Sequence, residues 1–431
     1  MNTPPPPKRP RVIIVGGGFG GLAAARALRN APVEVILVDR ANHHLFQPLL
    51  YQVATSILAP GDIGTPIRQL VAKQPNASVF MAEVSGIDTA RRQVLVDYLN
   101  RRGVPFKYDY LVLATGASHN YFGHEEFAEF APGLKQLTDA TTIRDRILRA
   151  FEIAEEVDDP KTHQDLLTFV LVGGGATGVE LAGSIAELRR FTLQKEFRRV
   201  NPEHARIILI EGSPRVLHSF HPDLSRAAQK QLEALGVEVR TGVHVTHIDA
   251  TGVMLGDERI ASRTVVWTAG VKPSPASKWL GVPADKEGRV VVQPDCSVPD
   301  REGVFVIGDT ASFVTDGKPL PGVAQVALQQ GQHVASVINA RVQGWRAPKP
   351  FRYFDKGSMA IVGRNFAVME AGSIRLSGFI AWLAWAIIHV LFLAAFGNRI
   401  SVMSQWIWTY LSHKRGSRLI LGSGGKSPLF D

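Results

Sequence analysis

Two glycine-rich stretches in this 431-residue chain have the spacing with which a backbone turn binds a pyrophosphate. In the first, the pattern G-x-G-x-x-G falls on Gly16, Gly18 and Gly21. An apolar run precedes it and an Ala- and Leu-rich stretch follows it, which predicts a strand, a tight turn and a helix whose free N–H groups face phosphates. A second apolar run ends at Asp39, whose carboxylate can accept hydrogen bonds from a ribose. Together these parts favour a dinucleotide-binding unit over an ordinary βα unit with a glycine-rich turn.

The same arrangement occurs a second time further along the chain. A predicted strand is followed by Gly173, Gly175 and Gly178 in the same spacing, then by a predicted helix, and the next strand ends at Glu211. The distance from the first glycine to the acid is longer here, because a basic insertion at residues 188–200 lengthens or follows the helix. This internal repeat predicts two bound dinucleotides.

The acids and a third glycine turn indicate which dinucleotides bind. Asp39 and Glu211 both favour a free ribose hydroxyl and repel a 2′-phosphate, so the nicotinamide partner should be NAD(H) rather than NADP(H). Two nucleotides in one chain suggest a flavin that is held permanently and a nicotinamide that visits. Gly308 and Asp309 follow a predicted strand and could bind the ribityl chain and phosphate of the flavin. The alternative for Asp309 is an ordinary turn residue.

Composition narrows the class of protein. The single cysteine, Cys296, excludes an internal disulfide, and the net charge of +9 suggests attraction to an anionic partner. No run of basic residues with interleaved aromatics occurs, so we expect a membrane surface and not a nucleic acid. Residues 1–10 are Pro-rich and basic without an apolar core, which predicts a disordered tail, not a signal peptide, and a body on the cytoplasmic side of the inner membrane.

Longer stretches carry a resemblance to a known family. The two glycine motifs, Thr115-Gly116 and Gly308-Asp309 resemble the two-dinucleotide-binding-domain flavoproteins. Residues 46–63, 324–331 and 351–364 and the C-terminal segment narrow this to the type II NADH:quinone oxidoreductases, the respiratory NADH dehydrogenases that pump no protons. The resemblance covers about residues 12–421. It implies tightly and non-covalently bound FAD, NADH as substrate, a membrane quinone such as ubiquinone as acceptor, and a homodimer. The single cysteine agrees, because the disulfide and sulfide-oxidising relatives use cysteine pairs.

The resemblance also assigns candidate catalytic residues. It implies that Gln325, Gln329 and Gln330 lie at the quinone mouth, that Glu180 lies near the nicotinamide with a second role in coupling to the quinone, and that Lys356 lies near the quinone pocket. The alternatives are a solvated Gln-rich helix face, an acid that interacts with a helix dipole, and an exposed ion pair. The candidate cofactor-binding residues are Gly16, Gly18, Gly20, Gly21, Asp39, Gln52, Thr115, Gly116, Gly173, Gly175, Gly178, Glu180, Glu211, Gly270 and Asp309. No metal site is expected. Two residues depart from the family pattern, namely Ala176 in place of the commoner Pro and Ser184 in place of a frequent Glu.

The C-terminal region has the composition of a membrane anchor. Residues 379–396 contain one polar side chain, His389, and a helix of that length would be about 27 Å long, at the border between a short spanning helix and an interfacial one. His389 could contact quinone or lipid headgroups, or be a hydrogen-bonded packing residue. The following apolar residues recur at helical spacing among aromatic residues, with basic residues at the ends, which favours interfacial binding. The bases are Arg399, Lys414, Arg415 and Arg418. The family resemblance likewise implies a monotopic anchor.

The sequence therefore predicts an α/β protein with two Rossmann-like domains, one for FAD and one for NADH, and a C-terminal membrane-anchoring region with amphipathic helices. We assign residues 11–120 and 286–350 to the FAD-binding domain, 121–285 to the NADH-binding domain and 351–431 to the anchor. The predicted activity is transfer of two electrons from NADH through flavin to a membrane quinone. Alternatives are a soluble NADH-dependent reductase of a ferredoxin or rubredoxin, and a slow-turnover flavin- and NADH-binding signalling protein.

Overall fold

The computed structural model describes residues 9–194 and 196–421, so most of the predicted N-terminal tail lies outside the described residues. The chain forms two compact units, each assembled from three segments. The first unit comprises Met1–His44, Thr65–Ser118 and Val271–Asp355. The second comprises Leu45–Gly64, His119–Gly270 and Lys356–Asp431.

A five-stranded parallel sheet forms the centre of the first unit. Its strands are almost entirely apolar because both faces are covered, as parallel sheets require. The helices Phe19–Ala27 and Ala324–Gln343 pack together where Gly20 meets Gly331. A Cβ at Gly331 would lie 2.2 Å from the Gly20 carbonyl oxygen. An antiparallel sheet of Glu83–Asp88, Gln93–Asp97 and Val104–Lys107 belongs to the same unit. In spatial order, the parallel strands are Val304–Val306, Tyr110–Leu113, Arg11–Val15, Glu34–Asp39 and Ala77–Met81.

A four-stranded parallel sheet in the second unit repeats this plan, which confirms the predicted repeat. Its central strand, Thr168–Val172, leads into the helix Ala176–Glu187, and a π-helical turn, Leu188–Thr192, follows directly. The basic insertion therefore begins as a continuation of the helix. In spatial order, the strands are Val237–Thr241, Arg206–Glu211, Thr168–Val172 and Thr264–Trp267. The remaining larger elements before the C-terminal region are the helices Leu137–Glu156, Pro160–Leu166 and Pro222–Ala234 and the antiparallel strands His247–Asp249, Gly252–Leu255 and Glu258–Ala261.

The C-terminal region divides its apolar run between two helices. The first, Phe379–Phe392, has 14 residues and is about 21 Å long, and the second is Phe396–Ser412. The break occurs because Leu393 leaves the helical conformation and is buried, while the Arg399 side chain donates to its carbonyl oxygen at 3.1 Å. In the part of the chain that the structure describes, no helix has both the length and the apolar character to cross a membrane. The strands Ser358–Ile361, Ala367–Ala371 and Ile374–Gly378 precede these helices as an antiparallel sheet.

Short elements connect these parts. In both units they comprise the helices Leu50–Ala54, Pro60–Ile63, Ile67–Val71, Phe127–Phe130 and Ala276–Leu280, the 3-10 turns Gln47–Leu49, Pro202–His204 and Gly308–Thr310, and the strands His43–Leu45, Gly64–Pro66, Ala117–His119, Val271–Pro273, Val290–Val291, Ala311–Ser312, Val314–Thr315 and Lys318–Pro319.

Candidate active site

The first glycine turn has the shape that a pyrophosphate needs. Gly16 has a φ of +102°, and a Cβ there would lie 2.3 Å from the Ala114 carbonyl oxygen. Gly21 is equally constrained, since its Cβ would lie 1.8 Å from the Gly16 carbonyl oxygen. At Gly18, by contrast, an added Cβ would meet no described atom within 4 Å. The turn is thus closed towards the protein and open at Gly18, where a phosphate can approach the backbone.

The second turn reproduces this geometry in the other unit. Gly173 has a φ of +113°, and its Cβ would lie 2.5 Å from the Ala269 Cα. A Cβ at Gly178 would lie 1.9 Å from the Gly173 carbonyl oxygen, whereas one at Gly175 would meet nothing within 4 Å among the described atoms. Both turns therefore fit a dinucleotide, and they fit it in the same way.

The two predicted ribose acids also hold their own turns in place. Asp39 accepts hydrogen bonds from the backbone N–H of Gly17 at 2.5 Å and from the N–H two residues beyond itself at 2.7 Å. Glu211 does the same with Gly174 at 2.5 Å and with the N–H two residues further on at 2.7 Å. Each carboxylate is half-buried and oriented at a strand end, with lone pairs left for a ribose hydroxyl.

Three hydroxyl groups of the first unit lie close together just beyond the strand Tyr110–Leu113. The Thr115 hydroxyl is 2.5 Å from that of Ser274 and 3.2 Å from that of Thr310. The backbone carbonyl of Gly116 accepts from the Thr310 hydroxyl at 3.1 Å. Asp309, in the following 3-10 turn, is half-buried. The structure therefore brings Thr115, Gly116 and Asp309 into one unit, as predicted.

The three glutamines predicted at the quinone mouth lie at the start of the helix Ala324–Gln343 in the first unit. Gln330 is 1% exposed, and its side-chain oxygen accepts from the Gly308 N–H at 2.7 Å. Gln329 pairs with the backbone of Phe354, donating to its carbonyl and accepting from its N–H, both at 2.9 Å. Gln325 is half-buried. The amides of Gln329 and Gln330 thus hold the backbone at Phe354 and Gly308, a role that was not predicted from the sequence.

The second unit contains a cavity of about 100 Å³ with an aromatic wall. It is lined by residues 51–57, by one face of the helix Ala176–Glu187, by residues 361–364 and by the two C-terminal helices. Trp382, Trp385 and Trp406 are three of its five aromatic lining residues. Cavities of roughly 150 Å³ accept benzene, and this one is smaller, so it has room for no more than a single planar ring.

Among the predicted site residues that line this cavity, Glu180 has the clearest chemical role. Its side chain is 9% exposed, and the one hydrogen bond described for it comes from the Ile361 N–H at 3.5 Å. Desolvation by burial raises the pKa of Glu180 to about 8, so that the carboxyl is protonated at neutral pH. Burial and the nearby Glu180 charge also raise the pKa of Tyr51 well above its ordinary value. The cavity therefore presents two protonated oxygen acids.

A buried ion pair between Arg415 and Glu187 forms part of the polar lining of the cavity. The Arg415 guanidinium is 3.6 Å from the Glu187 carboxylate and donates to the carbonyl oxygens of Thr55 at 2.8 Å and Ser184 at 3.0 Å. The expectation that Arg415 is an interfacial base is wrong, because it is only 3% exposed. Burial lowers the pKa of Arg415 to about 10, and burial raises that of Glu187. Ser184, the departure from the family pattern, shares a 2.7 Å hydrogen bond with the Thr55 hydroxyl.

Gln52 and His389 take up packing positions in this region. Gln52 donates to the Tyr51 hydroxyl at 2.8 Å and accepts from the Trp406 indole at 2.6 Å. His389 shares a 2.7 Å hydrogen bond with the carbonyl oxygen of Trp385 and stacks on its ring at 4.3 Å. Burial lowers the pKa of His389 to about 4. For His389, the structure favours the alternative of a packing histidine.

Further predicted residues lie away from the cavity. Lys356 is exposed, with its ammonium 5.4 Å from the Phe392 ring centre, and it is not among the residues that line the cavity. At Gly270, an added Cβ would meet the ring of the exposed Phe122 at 2.7 Å, and the ring would have to move. In the first unit, a Cβ at Gly20 would lie 3.1 Å from the Ala327 carbonyl oxygen of the neighbouring helix, a tight contact. The cofactor-binding roles of Gly20 and Gly270 stay predictions.

Contacts to the helix Phe396–Ser412 show a further set of residues that the sequence did not single out. Asn398 donates to the Asp62 carbonyl at 2.8 Å, and Ser401 donates to the Asp62 carboxylate at 2.5 Å. Asp62 lies in one of the stretches that carry the family resemblance, and these partners are more than 330 residues away from it in the sequence. The helix Phe396–Ser412 is thus held against the segment around Asp62 by partly buried polar contacts as well as by packing.

Comparison with known proteins agrees with these features. The family model described as pyridine nucleotide-disulphide oxidoreductase matches residues 10–331. A type II NADH:quinone oxidoreductase, Ndh, from Mycobacterium tuberculosis is 45% identical over 93% of this chain and 88% of that relative. A second enzyme of that organism with the same description, NdhA, is 43% identical over 93% of this chain and 87% of that relative. The chain therefore belongs to the pyridine nucleotide-disulphide oxidoreductase family and, within it, to the type II NADH:quinone oxidoreductases.

The fold agrees with a solved structure as well. NDH2 from Plasmodium falciparum in complex with NADH superposes with a TM-score of 0.87, covering 96% of this chain and all of that one, at 18% identity. At that identity the similarity shows the fold alone. It confirms the predicted α/β architecture.

Proposed function

We infer that this chain is an FAD-dependent NADH:quinone oxidoreductase, in which FAD is the cofactor and NADH the substrate. Bound FAD supplies a centre that accepts a hydride from NADH and passes two electrons to the quinone. The residues of the chain bind and orient these molecules and supply protons. The observation that carries the acceptor side of this proposal is a buried, protonated carboxyl, Glu180, in a cavity with aromatic walls.

We assign the FAD pyrophosphate to the turn at Gly16–Gly21 and the NADH pyrophosphate to the turn at Gly173–Gly178. Asp39 and Glu211 would orient the two adenosine riboses, and Asp309 would bind the flavin's ribityl chain. The open backbone at Gly18 and at Gly175 and the fixed acids support this assignment. The domain boundaries proposed from the sequence follow the same assignment, with FAD held tightly and non-covalently.

We propose that the quinone ring enters the aromatic cavity of the second unit and that Glu180 gives it a proton. Quinone reduction to quinol consumes two protons with two electrons, and a carboxyl with a pKa near 8 is a suitable donor at neutral pH. The exposed surface of the cavity is largely apolar and five of its lining residues are aromatic, which supports a planar, apolar ligand. The Tyr51 hydroxyl lies in the same lining.

Filling the cavity tests this assignment. Ala386 lines it from the helix Phe379–Phe392, and an A386F side chain would occupy the space of the ring. We expect the quinone-dependent oxidation of NADH to fall at least tenfold, whereas ferricyanide, which needs no apolar pocket, still accepts electrons. A128F, at an exposed helix position of the same unit, is the matched control. An A386F enzyme with wild-type quinone activity and normal flavin content would exclude the cavity as the quinone site.

We propose further that the C-terminal helices attach the enzyme to the membrane surface as a monotopic anchor on the cytoplasmic side of the inner membrane, with the enzyme as a homodimer. The anchor has support from exposed apolar residues along both helices. Exposed patches of this kind mark membrane or protein interfaces. The patch, called here the anchor face, consists of Phe379, Ile380, Leu383, Ile387, Leu391, Phe396, Ile400, Met403, Ile407, Trp408 and Leu411.

Charged residues on the anchor face should release the protein from lipid. Ile387 and Leu391 are one helical turn apart and are 53% and 59% exposed. Because each apolar side chain contributes about 1.5–3 kcal/mol when fully buried, I387K/L391K should lower the partition coefficient on phosphatidylcholine–phosphatidylglycerol vesicles at least tenfold. L99K, at an apolar residue of the first unit that is 95% exposed, is the control. Equal sedimentation of the double variant and wild type would refute the anchor.

A further inference from the structure

The cavity contains hydrogen-bonding groups that the described residues do not satisfy. Trp385 is 2% exposed, and its indole Nε1 has no partner among the described residues. The hydroxyl of Thr409 is also buried and unpartnered in the part of the chain that the structure describes. Both residues line the cavity, one from each C-terminal helix. Buried polar groups in proteins are nearly always hydrogen-bonded, so the presence of unsatisfied ones around one small cavity points to a ligand that pairs with them.

The chemistry of these groups restricts the ligand. An indole N–H can only donate a hydrogen bond, and a threonine hydroxyl can donate one as well. Glu180, protonated at neutral pH, is a third donor in the same lining. The ligand must therefore carry acceptor oxygens on a flat apolar body, which describes a quinone ring with its carbonyl groups.

We propose that the Trp385 indole N–H and the Thr409 hydroxyl bind a carbonyl oxygen of the quinone ring and so select for acceptors with ring carbonyls. This inference rests on the proposed function of the cavity and adds the two groups that orient the substrate there. Trp385 also stacks on His389, with 4.3 Å between the ring centres, and packs against the tilted ring of Trp406 at 5.2 Å, so its indole is held in one orientation before the quinone arrives. Preorganisation of this kind lowers the entropy cost of binding.

The contrast with Trp406 provides the test. Trp406 lies in the same aromatic stack, but its indole already donates to Gln52 at 2.6 Å. W406F therefore removes a hydrogen bond that exists without ligand and should lower the Tm of the ligand-free holoenzyme. W385F removes no such bond and keeps a ring in the stack, so its ligand-free Tm should equal or exceed that of wild type. The two variants thus distinguish a ligand donor from a structural donor.

The ligand readouts are the KM for a short-chain ubiquinone and the rise in Tm that the oxidised quinone causes. For W385F and for T409V we expect the KM to rise about five- to tenfold, in line with the loss of one hydrogen bond, and the quinone-induced rise in Tm to shrink. T409S, which keeps the hydroxyl, should recover most of the wild-type KM. W345F replaces an exposed tryptophan of the first unit and serves as the control.

Two results would overturn the inference, and they are distinguishable. If A386F abolishes quinone reduction but W385F and T409V keep the wild-type KM, the cavity binds quinone without these donors. If A386F, W385F and T409V all keep wild-type quinone kinetics, the cavity is not the quinone site and the proposed function of the cavity fails with the inference.

Discussion

Replacement of Glu180 by glutamine should lower quinone-dependent NADH oxidation by about 10²–10⁴-fold, the range that general acid catalysis contributes. Glutamine has nearly the same shape and can keep the contact with the Ile361 N–H, but it cannot give up a proton. The reference activity is ferricyanide reduction, which consumes no protons. E152Q, at an exposed position on the helix Leu137–Glu156, is the matched control.

The pH profile provides a second signature of the same residue. Because burial raises the pKa of Glu180 to about 8, the carboxyl carries its proton below pH 8 and loses it as the pH rises through 8. Wild-type quinone reduction should therefore decline above pH 8, and this decline should be absent from the residual activity of E180Q. An E180Q enzyme within threefold of wild type, with the same profile, would contradict the proton-donor role. Equal losses with quinone and ferricyanide would instead place Glu180 in the reaction with NADH.

Removal of Arg415 should produce the largest loss of stability. R415A would leave the buried Glu187 carboxylate without its ion-pair partner and the Thr55 carbonyl oxygen without the donor described for it. Breaking a buried pair in this way costs about 3–5 kcal/mol. Since 1 kcal/mol shifts the midpoint by roughly 2–4 °C in units of 150–250 residues, the Tm of the second unit should fall by about 10 °C.

Three variants make the Arg415 prediction specific. R415A/E187Q removes the stranded charge and should recover part of the loss, whereas R415K keeps the charge but not the fork that reaches two carbonyls. R226A, in an exposed pair with Asp223, should change stability by less than about 1 kcal/mol. A Tm for R415A equal to that of R226A would show that the buried network contributes nothing to stability.

The parts of the fold that could be predicted from the sequence are those that depend on local pattern. Each dinucleotide-binding unit is one continuous stretch of the chain that contains a strand, a glycine turn, a helix, a second strand and an acid. Both turns have the expected geometry. Asp39 and Glu211 lie at strand ends for the same reason. What the pattern did not predict is that each acid also holds its own turn through backbone N–H groups.

The parts that could not be predicted depend on partners that are distant in sequence. Arg415 follows an amphipathic helix and resembles an interfacial base, but its acceptors Thr55 and Ser184 are 360 and 231 residues away. The hydrogen bond that the Gln330 amide accepts from the Gly308 backbone was likewise not predicted, while its place at the quinone mouth stays a prediction. The apolar run of residues 379–396 contains no polar signal for the break after Phe392. In each case the local sequence is compatible with two structures, and a contact with residues outside that local pattern decides between them.

The most direct test of the account is an anaerobic stopped-flow experiment that separates the two half-reactions in wild type and A386F. NADH should bleach the flavin absorbance at the same rate in both proteins. A short-chain ubiquinone should then restore the oxidised spectrum rapidly in wild type and at least tenfold more slowly in A386F, while ferricyanide restores both. Rapid recovery of A386F with the quinone would contradict the claim that the quinone is reduced in this cavity.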